Sequence, residues 1–342
     1  MGGYAKKIED TIKQLPYNKL IVTSELYNDS LRDIPELTYY KTLERMSKKG
    51  IIKHLTKGIY YRPESTEAGT DTIKEEDIAK YYIEDSRGVI VGDRLYNRIG
   101  ITHHIGEKTE ILSNKLNEEK KNIRNVEVKK VSLELNKDTV QIIKILEILQ
   151  NYHKIENLNN KALRRYLSYF LKFYSDDAAS YVIENRKYKK STIAFLASLL
   201  DELGVEHSLD KYLSPLSNYK VPILEREGKD MPDSVANILN DFSEKVKKLF
   251  KDKLSKIVLY GSYARGDYRE NSDVDIMILV KISDEEEIRK YRNEVCDMVF
   301  DIEMETGTDI SPIIKNEEHF EYWVETLPFY RNIRDEGVVI SG

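Results

Sequence analysis

Four residues near the end of the chain have the types and spacing to bind a nucleoside triphosphate and a metal ion. An apolar run at 257–260 leads into Gly261-Ser262, and ten residues later Asp273-Val274-Asp275 opens a second apolar run. Side chains alternate along a strand, so Asp273 and Asp275 point to the same side, about 6.6 Å apart along the backbone. At about 4 Å and an effective dielectric near 20, two carboxylates repel by about 4 kcal/mol. The pair therefore predicts a Mg²⁺ (or Mn²⁺) site completed by substrate phosphates.

Gly261 and Ser262 predict how those phosphates are bound. Glycine lets a phosphate approach the backbone closely, and the serine hydroxyl and neighbouring N–H groups can donate to it. The spacing Gly-Ser-x10-Asp-x-Asp, with Ala-Arg-Gly-Asp at 264–267 and Ser272, resembles the signature of polymerase-β-like nucleotidyltransferases. It is most similar to the minimal type found in bacterial toxin–antitoxin and defence systems.

This resemblance implies an enzyme that transfers NMP from ATP or another NTP to a protein or RNA hydroxyl, such as that of a tRNA, and releases pyrophosphate. It implies catalytic metal ligands at Asp273 and Asp275, and nucleotide-binding roles for Gly261, Ser262, Arg265 and Ser272. Family members usually add a third carboxylate from a neighbouring strand. Asp309, at the head of the next predicted strand, is the candidate for this third catalytic and metal-binding position.

Composition limits the setting of this site. The chain has 342 residues, 40% hydrophobic and 33% charged, which is typical of a globular protein long enough for several domains. No apolar run approaches the roughly 20 residues needed to cross a bilayer, and the polar N-terminus does not resemble a signal peptide. Cys296 is the only cysteine, which excludes an internal disulfide. We therefore expect a cytoplasmic protein with no membrane partner.

Charge is distributed unevenly along the chain. Residues 1–62 contain 12 Lys and Arg against 7 Asp and Glu, whereas residues 229–342 contain 16 against 25. A basic first segment and an acidic last segment predict different partners for the two ends.

The first 62 residues have the pattern of a winged helix-turn-helix. Apolar spacing predicts helices at about 4–15, near 23–26 and from Pro35 to Lys49, the third with an apolar stripe of Leu37, Tyr40, Leu43 and Met46. Two short strands follow at 51–55 and 58–61. In such a domain the third helix enters the major groove of DNA. The predicted contacts with promoter DNA, on the third helix and the wing, are Thr38, Tyr39, Lys41, Arg45, Lys49, Lys53 and Lys57. Thr42 is predicted on the same solvent-exposed face of the third helix.

The middle of the chain shows no residues arranged for chemistry. Residues 73–84 and 91–99 are predicted helices, 109–113 and 126–135 predicted strands, and 139–203 a series of helices. Tyr166 and Tyr169 lie in an aromatic stripe that indicates helix packing. The segments 91–102 (Val-Gly-Asp-Arg-Leu-Tyr-Asn-Arg-Ile-Gly-Ile-Thr) and 109–115 (Thr-Glu-Ile-Leu-Ser-Asn-Lys) resemble the AbiEi-like antitoxins of type IV toxin–antitoxin systems. This second resemblance implies promoter binding and a cognate toxin partner.

The predicted fold is a multidomain α+β protein. It comprises a winged helix at 1–62, an α/β and then helical antitoxin-like region at 73–205, a linker at 208–230, and a polymerase-β-like domain with a mixed sheet and helices at 231–342. The predicted function is a nucleotidyltransferase fused to a DNA-binding regulator in a toxin–antitoxin or phage-defence system. Two alternatives remain: an autorepressor whose last domain senses nucleotide without turnover, and an aminoglycoside-type nucleotidyltransferase.

Overall fold

The computed structural model describes residues 3–66, 69–70, 73–224 and 228–341. The polar stretch at 63–72, which contains Pro63 and Gly69 and so predicts a linker, and the predicted linker at 208–230 lie partly outside the described residues. The chain divides into two compact units. Unit 1 comprises Met1–Arg94 and Gly106–Val140, and unit 2 comprises Leu95–Ile105 and Gln141–Gly342. This grouping differs from the predicted one, because the helical half of the middle region belongs to the same unit as the C-terminal domain.

Unit 1 begins with three helices and a small antiparallel sheet in the order β1-β3-β2. Its elements are α1 (Gly3–Gln14), β1 (Leu20–Val22), α2 (Thr23–Ser30), α3 (Glu36–Lys48), β2 (Lys53–Thr56) and β3 (Ile59–Tyr61). The helices and the hairpin lie where the apolar spacing predicts them, and β1 is an additional strand. The helices pack around Ile8, Ile12 and Met46, which are fully buried.

The apolar stripe predicted for α3 is wrong, because the buried face of the helix lies part of a turn away from it. Leu37 is 68% exposed, whereas Tyr39 is fully buried and its hydroxyl donates to the Thr23 carbonyl at 2.9 Å. Thr42 is also buried, and its hydroxyl donates to the Thr38 carbonyl. Tyr39 therefore belongs to the core of this domain and cannot contact DNA as predicted, and Thr42 is not on the solvent-exposed face where it was predicted.

The rest of unit 1 is a second mixed sheet, in the order β6-β7-β9-β8, with a helix packed on it. Its elements are β4 (Ser65–Thr66) and β5 (Gly69–Thr70), which form a separate two-stranded sheet, then α4 (Glu75–Ile83), β6 (Gly88–Val91), β7 (Thr109–Ser113), β8 (Lys120–Ile123) and β9 (Val126–Lys130). The short helix α5 (Asp93–Arg98), between β6 and β7, lies mostly in unit 2. The predicted helices and strands are present, except that the strand predicted at 126–135 ends at Lys130, and β6 and β8 are additional strands. Ile78, Ile111 and Val128 are fully buried between α4 and the sheet.

Unit 2 begins with a helical layer that joins the core of the C-terminal domain. Its helices are α6 (Lys137–Asn151), α7 (Asn160–Phe170), α8 (Asp176–Asn185) and α9 (Lys190–Leu203). Tyr166 and Tyr169 are buried, at 2% and 4% exposure, which confirms the predicted packing role of the aromatic stripe. Tyr169 belongs to the same apolar cluster as Leu239 and Ile276.

The C-terminal part of unit 2 is a four-stranded mixed sheet in the order β12-β11-β10-β13. Its elements are α10 (Asp233–Phe250), β10 (Leu254–Leu259), α11 (Gly261–Arg265), β11 (Val274–Val280), α12 (Glu285–Thr306), β12 (Ile310–Asn316), α13 (Glu317–Trp323), α14 (Pro328–Glu336) and β13 (Val338–Ser341). β11 and β12 are parallel, and the other pairs are antiparallel.

Apolar side chains on one face of this sheet pack against α10 and α12, and those on the other face pack against α13 and α14. The mixed sheet confirms the predicted architecture, and β12 lies at its edge, as Pro312 predicts. Strand β13, which follows the last helix, is an additional strand that the sequence pattern did not predict. Among the described residues, no helix is long and apolar enough to cross a membrane.

Candidate active site

The two halves of the Gly-Ser and Asp-x-Asp motif meet at one end of the sheet. Strands β10 and β11 are antiparallel, so the end of β10 lies beside the start of β11, with Leu259 opposite Ile276. The backbone N–H of Tyr260 donates to the carbonyl of Asp275 at 3.0 Å. Two motifs that are ten residues apart in sequence thereby form one site.

Gly261 is in direct contact with the second carboxylate. Its φ is +70°, a conformation that favours glycine, and a Cβ at this position would lie 2.0 Å from Oδ2 of Asp275. Asp275 therefore occupies the space that any other side chain would need. The glycine allows the carboxylate and the turn to approach each other closely.

The two carboxylates differ in their surroundings. Asp273 is exposed, and the hydroxyl of Ser311 donates to its Oδ2 at 3.0 Å. Asp275 is half-buried, and its pKa is raised by this burial and by the charge of Asp273, while the charge of Arg265 opposes the rise. The raised pKa indicates that a negative charge at Asp275 lacks full compensation within the protein.

Hard oxygen donors close to each other, with uncompensated negative charge, fit a divalent cation that also contacts substrate phosphates. No third carboxylate joins them within the residues that the structure describes, and the role predicted for Asp309 stays a prediction. Among the described residues, no group of three or more His, Cys, Asp or Glu side chains could hold a metal ion. Asp309 is exposed, and its backbone carbonyl accepts a hydrogen bond from the N–H of Val274 at 2.9 Å.

Ser311 is a site residue that sequence reasoning missed. It lies directly opposite Asp275 in the parallel β11–β12 pairing and on the same face of the sheet as both carboxylates. A signal was available, because Ser311 lies two residues after Asp309 and so shares its face. The register between the two strands was needed to use it.

Arg265 and Ser272 hold the loop between the two motifs. Nε of Arg265 donates to Asp267 at 3.2 Å, and Nη1 donates to Glu336 at 3.4 Å. The hydroxyl of Ser272 accepts a hydrogen bond from the backbone N–H of Arg269 at 2.9 Å. Both predicted nucleotide-binding residues therefore have structural partners in the loop or on α14, and their roles in binding nucleotide stay predictions.

Tyr260 is a second residue that sequence reasoning did not assign. Burial, with the charges of Asp275 and Asp273, raises the pKa of Tyr260 to about 12. Its ring packs edge-on against Phe329, with 5.7 Å between ring centroids, and Phe329 is 46% exposed. A neutral phenol and an exposed aromatic ring thus border the carboxylate site.

The predicted DNA-binding residues lie apart from this site in sequence and belong to unit 1. Lys41, Arg45, Lys49 and Lys57 are exposed, and Thr38 and Lys53 are half-buried. Glu44 lies on the same surface of α3, where Lys48 donates to it at 2.7 Å. That hydrogen bond, with the charges of Lys48, Arg45 and Lys41, lowers the pKa of Glu44. Part of the positive charge on α3 is therefore compensated within the helix.

Comparison with known proteins identifies relatives of the chain. The nucleotidyltransferase domain family matches residues 239–337. Putative protein adenylyltransferase MJ0141 of Methanocaldococcus jannaschii is 39% identical over 80 residues, which are 23% of this chain and 78% of that protein. Putative protein adenylyltransferase MJ0604 of the same organism is 32% identical over 102 residues, 30% of this chain and 93% of that protein.

One solved structure, that of the RV2827C protein from Mycobacterium tuberculosis, covers 59% of this chain and 78% of that chain. Its TM-score is 0.35 and its sequence identity 10%, a likeness too small to support a conclusion.

Proposed function

This chain belongs to the nucleotidyltransferase domain family, and from that premise we propose that it transfers AMP from ATP to a hydroxyl group of a protein. Members of this family in general use an NTP together with a divalent metal ion. In the proposed reaction the acceptor oxygen forms a bond to the α-phosphorus. The bond from that phosphorus to the β-phosphate breaks, pyrophosphate leaves, and the hydroxyl proton is released to solvent.

The contact between Gly261 and Asp275 is the observation that carries this proposal. It places a backbone turn suited to phosphate directly against one carboxylate of a pair suited to a cation. We assign Gly261 and Ser262 to the β- and γ-phosphates, and Asp273 and Asp275 to Mg²⁺ or Mn²⁺. When bound, the ion neutralises charge on the phosphate oxygens. Ser311 orients the carboxylate of Asp273 through its hydrogen bond.

The choice of ATP and of a protein acceptor rests on the names of the two relatives and on the excess of acidic residues in the C-terminal domain. Both relatives are named as protein adenylyltransferases. Residues 229–342 contain 16 Lys and Arg against 25 Asp and Glu, and this balance disfavours a phosphate-rich acceptor such as tRNA.

The test is incubation of the full chain with ATP and a bacterial lysate, using ATP labelled at the α-phosphate in one reaction and at the γ-phosphate in another. We expect protein labelled from the α-phosphate only. Asp273→Asn combined with Asp275→Asn should abolish labelling and preserve the circular dichroism spectrum. Unchanged labelling by the double variant, or label arriving from the γ-phosphate, would contradict the assignment.

A regulatory role for the N-terminal residues is a second proposal. The exposed side chains of Lys41, Arg45, Lys49 and Lys57 on α3 and the β2–β3 turn support promoter binding by a winged helix, in a toxin–antitoxin or phage-defence setting. A gel shift with the protein's own promoter fragment tests it. Arg45→Ala should weaken a complex that is strongly salt-dependent, whereas absence of a shift at low salt would reject DNA binding.

A further inference from the structure

The outer edge of β12 forms the floor of an apolar groove that begins beside the carboxylate site. The groove measures about 380 Å³ and lies between the second half of α12 and the start of β12. We call it the edge groove, and its lining includes Phe300 and Glu303 of α12 and Ile310, Ser311, Pro312 and Ile313 of β12. Phe300 is 61% exposed, which is unusual for a side chain of this size.

Backbone hydrogen-bonding groups lie along the outer edge of β12, where the groove is formed. The N–H of Val274 donates to the carbonyl of Asp309, which fixes which residues of β12 bond to β11. In a parallel pair, every second residue of a strand bonds to the same neighbouring strand, so Asp309, Ser311 and the alternate residues after them bond to β11. The N–H and C=O groups of Ile310 and Ile314 therefore point outward, away from β11. Pro312 also faces outward, where its missing N–H costs no hydrogen bond within the sheet. In the described part of the chain, no strand pairs with this edge.

The geometry of the reaction places the acceptor on this side. The sheet order β12-β11-β10-β13 puts Gly261 and Ser262 on one side of the two carboxylates and β12 on the other. Nucleotidyl transfer proceeds in line, so the attacking oxygen lies opposite the leaving pyrophosphate. If Gly261 and Ser262 hold that leaving group, the acceptor hydroxyl enters from β12. Ser311 connects the two places, because it contacts Asp273 and also borders the edge groove.

The charge beside the groove restricts the acceptor further. The second half of α12 contains no Lys or Arg, and four of its side chains are exposed carboxylates: Asp297, Asp301, Glu303 and Glu305. A hydrogen bond to Asp241, with the charges of Asp241, Glu305 and Asp301, raises the pKa of Lys245 on α10, so Glu305 and Asp301 are partly neutralised. Glu303 lines the groove itself. A segment carrying Lys or Arg is therefore favoured, and a phosphate backbone is repelled.

We propose that the acceptor is an extended protein segment that pairs with the free edge of β12 as an added strand. It places an apolar side chain against Phe300, a basic side chain near Glu303, and its Ser, Thr or Tyr hydroxyl at Asp273. Main-chain pairing of this kind gives affinity, and the alternate side chains give specificity. This inference rests on the proposed function and specifies its acceptor.

The probe is a degenerate library of nine-residue peptides with a fixed central Ser, Thr or Tyr, incubated with the full chain and α-labelled ATP. We expect labelled members to be enriched in apolar residues at alternate positions and in Lys or Arg. N-methylation of one alternate set of amides in an enriched peptide should lower kcat/KM at least 10-fold, and N-methylation of the other set should have little effect.

Two substitutions in α12 make a matched pair. Phe300→Asp should lower kcat/KM for the peptide at least 10-fold. It should leave unchanged the KM for ATP and the slow hydrolysis of ATP to AMP and pyrophosphate, in which water replaces the peptide hydroxyl. Met304→Asp is the control, because Met304 is 71% exposed on the same helix and does not line the groove. It should behave like wild type.

The outcomes separate this inference from the proposed function. Wild-type protein that releases no pyrophosphate from ATP under any condition would contradict the proposed function. If wild type turns over ATP but labels RNA or no library member, the edge-groove inference is wrong. It is also wrong if Phe300→Asp and Met304→Asp have equal effects, or if both N-methylated peptides react like the parent.

Discussion

Replacing Gly261 with alanine should remove most of the transferase activity and leave the protein folded. The new Cβ would lie 2.0 Å from Oδ2 of Asp275, whereas such contacts essentially never fall below 3.0 Å. The carboxylate or the turn must therefore move by at least about 1 Å, the difference between these distances. A displacement of this size at a catalytic group costs roughly 100-fold in rate. We expect kcat/KM for ATP to fall by about that factor, measured as transfer of label from the α-phosphate.

Gly204 provides the control for backbone strain. Its φ is +68°, close to the +70° of Gly261, but a Cβ there would meet no atom within 4 Å. Alanine at either position has the cost of a left-handed backbone, about 1–2 kcal/mol in the free energy of unfolding. Gly204→Ala should show this loss in urea denaturation and keep full activity. The reasoning is refuted if Gly261→Ala stays within about threefold of wild type, or if both variants lose activity equally.

Three further predictions concern neighbouring residues. Asp275→Asn should stabilise the metal-free protein at pH 8 by less than about 1 kcal/mol, seen as a rise in Tm, because the raised pKa of Asp275 means that its ionised form destabilises the fold. The difference in Tm between the two proteins should vanish at a pH below the ordinary pKa of aspartate, where the wild-type side chain is also neutral. Equal Tm values for wild type and Asp275→Asn at pH 8 would contradict the prediction. Ser311→Ala should lower kcat about 3- to 10-fold, because Asp273 loses a hydrogen bond to its charged oxygen, and Ser311→Thr should restore the rate. Arg265→Ala should raise the KM for ATP about 10-fold if the guanidinium contacts phosphate, whereas a KM within twofold of wild type would assign Arg265 only to the contacts with Asp267 and Glu336.

The carboxylate pair and its glycine turn could be predicted because both depend on local sequence. Alternation along one strand places Asp273 and Asp275 on the same face whatever the rest of the fold does. Two apolar runs joined by a short loop are adjacent in the sheet, so Gly261 was expected near the carboxylates, and the structure places it against Asp275.

Ser311 could not be predicted in the same way. Its position beside Asp273 depends on the register of a parallel pair whose strands are joined through the long helix α12. A shift of one residue in that register would turn Ser311 to the opposite face. Asp309 was chosen for its residue type and its place at the head of the predicted strand, and its role as a third metal ligand stays a prediction.

The misplaced stripe on α3 has a different cause. Leu37, Tyr40, Leu43 and Met46 follow one helical spacing, and Tyr39, Leu43 and Met46 follow another. Both sets share two residues, so hydrophobicity does not separate them. The hydrogen bond from the Tyr39 hydroxyl to the Thr23 carbonyl decides in favour of the second, because it gives the buried phenol a partner.

Strand β13 determines the order in which the parts of this protein become functional during synthesis. β10, the strand that leads into Gly261, lies between β11 and β13 and cannot complete its pairing until residues 338–341 leave the ribosome. All residues of unit 1 have been made by Val140, which is 198 residues before Val338. At a translation rate of about 5–20 residues per second, the interval is roughly 10–40 s. During every round of synthesis the ribosome therefore presents a complete N-terminal unit well before a complete sheet exists to support nucleotidyl transfer.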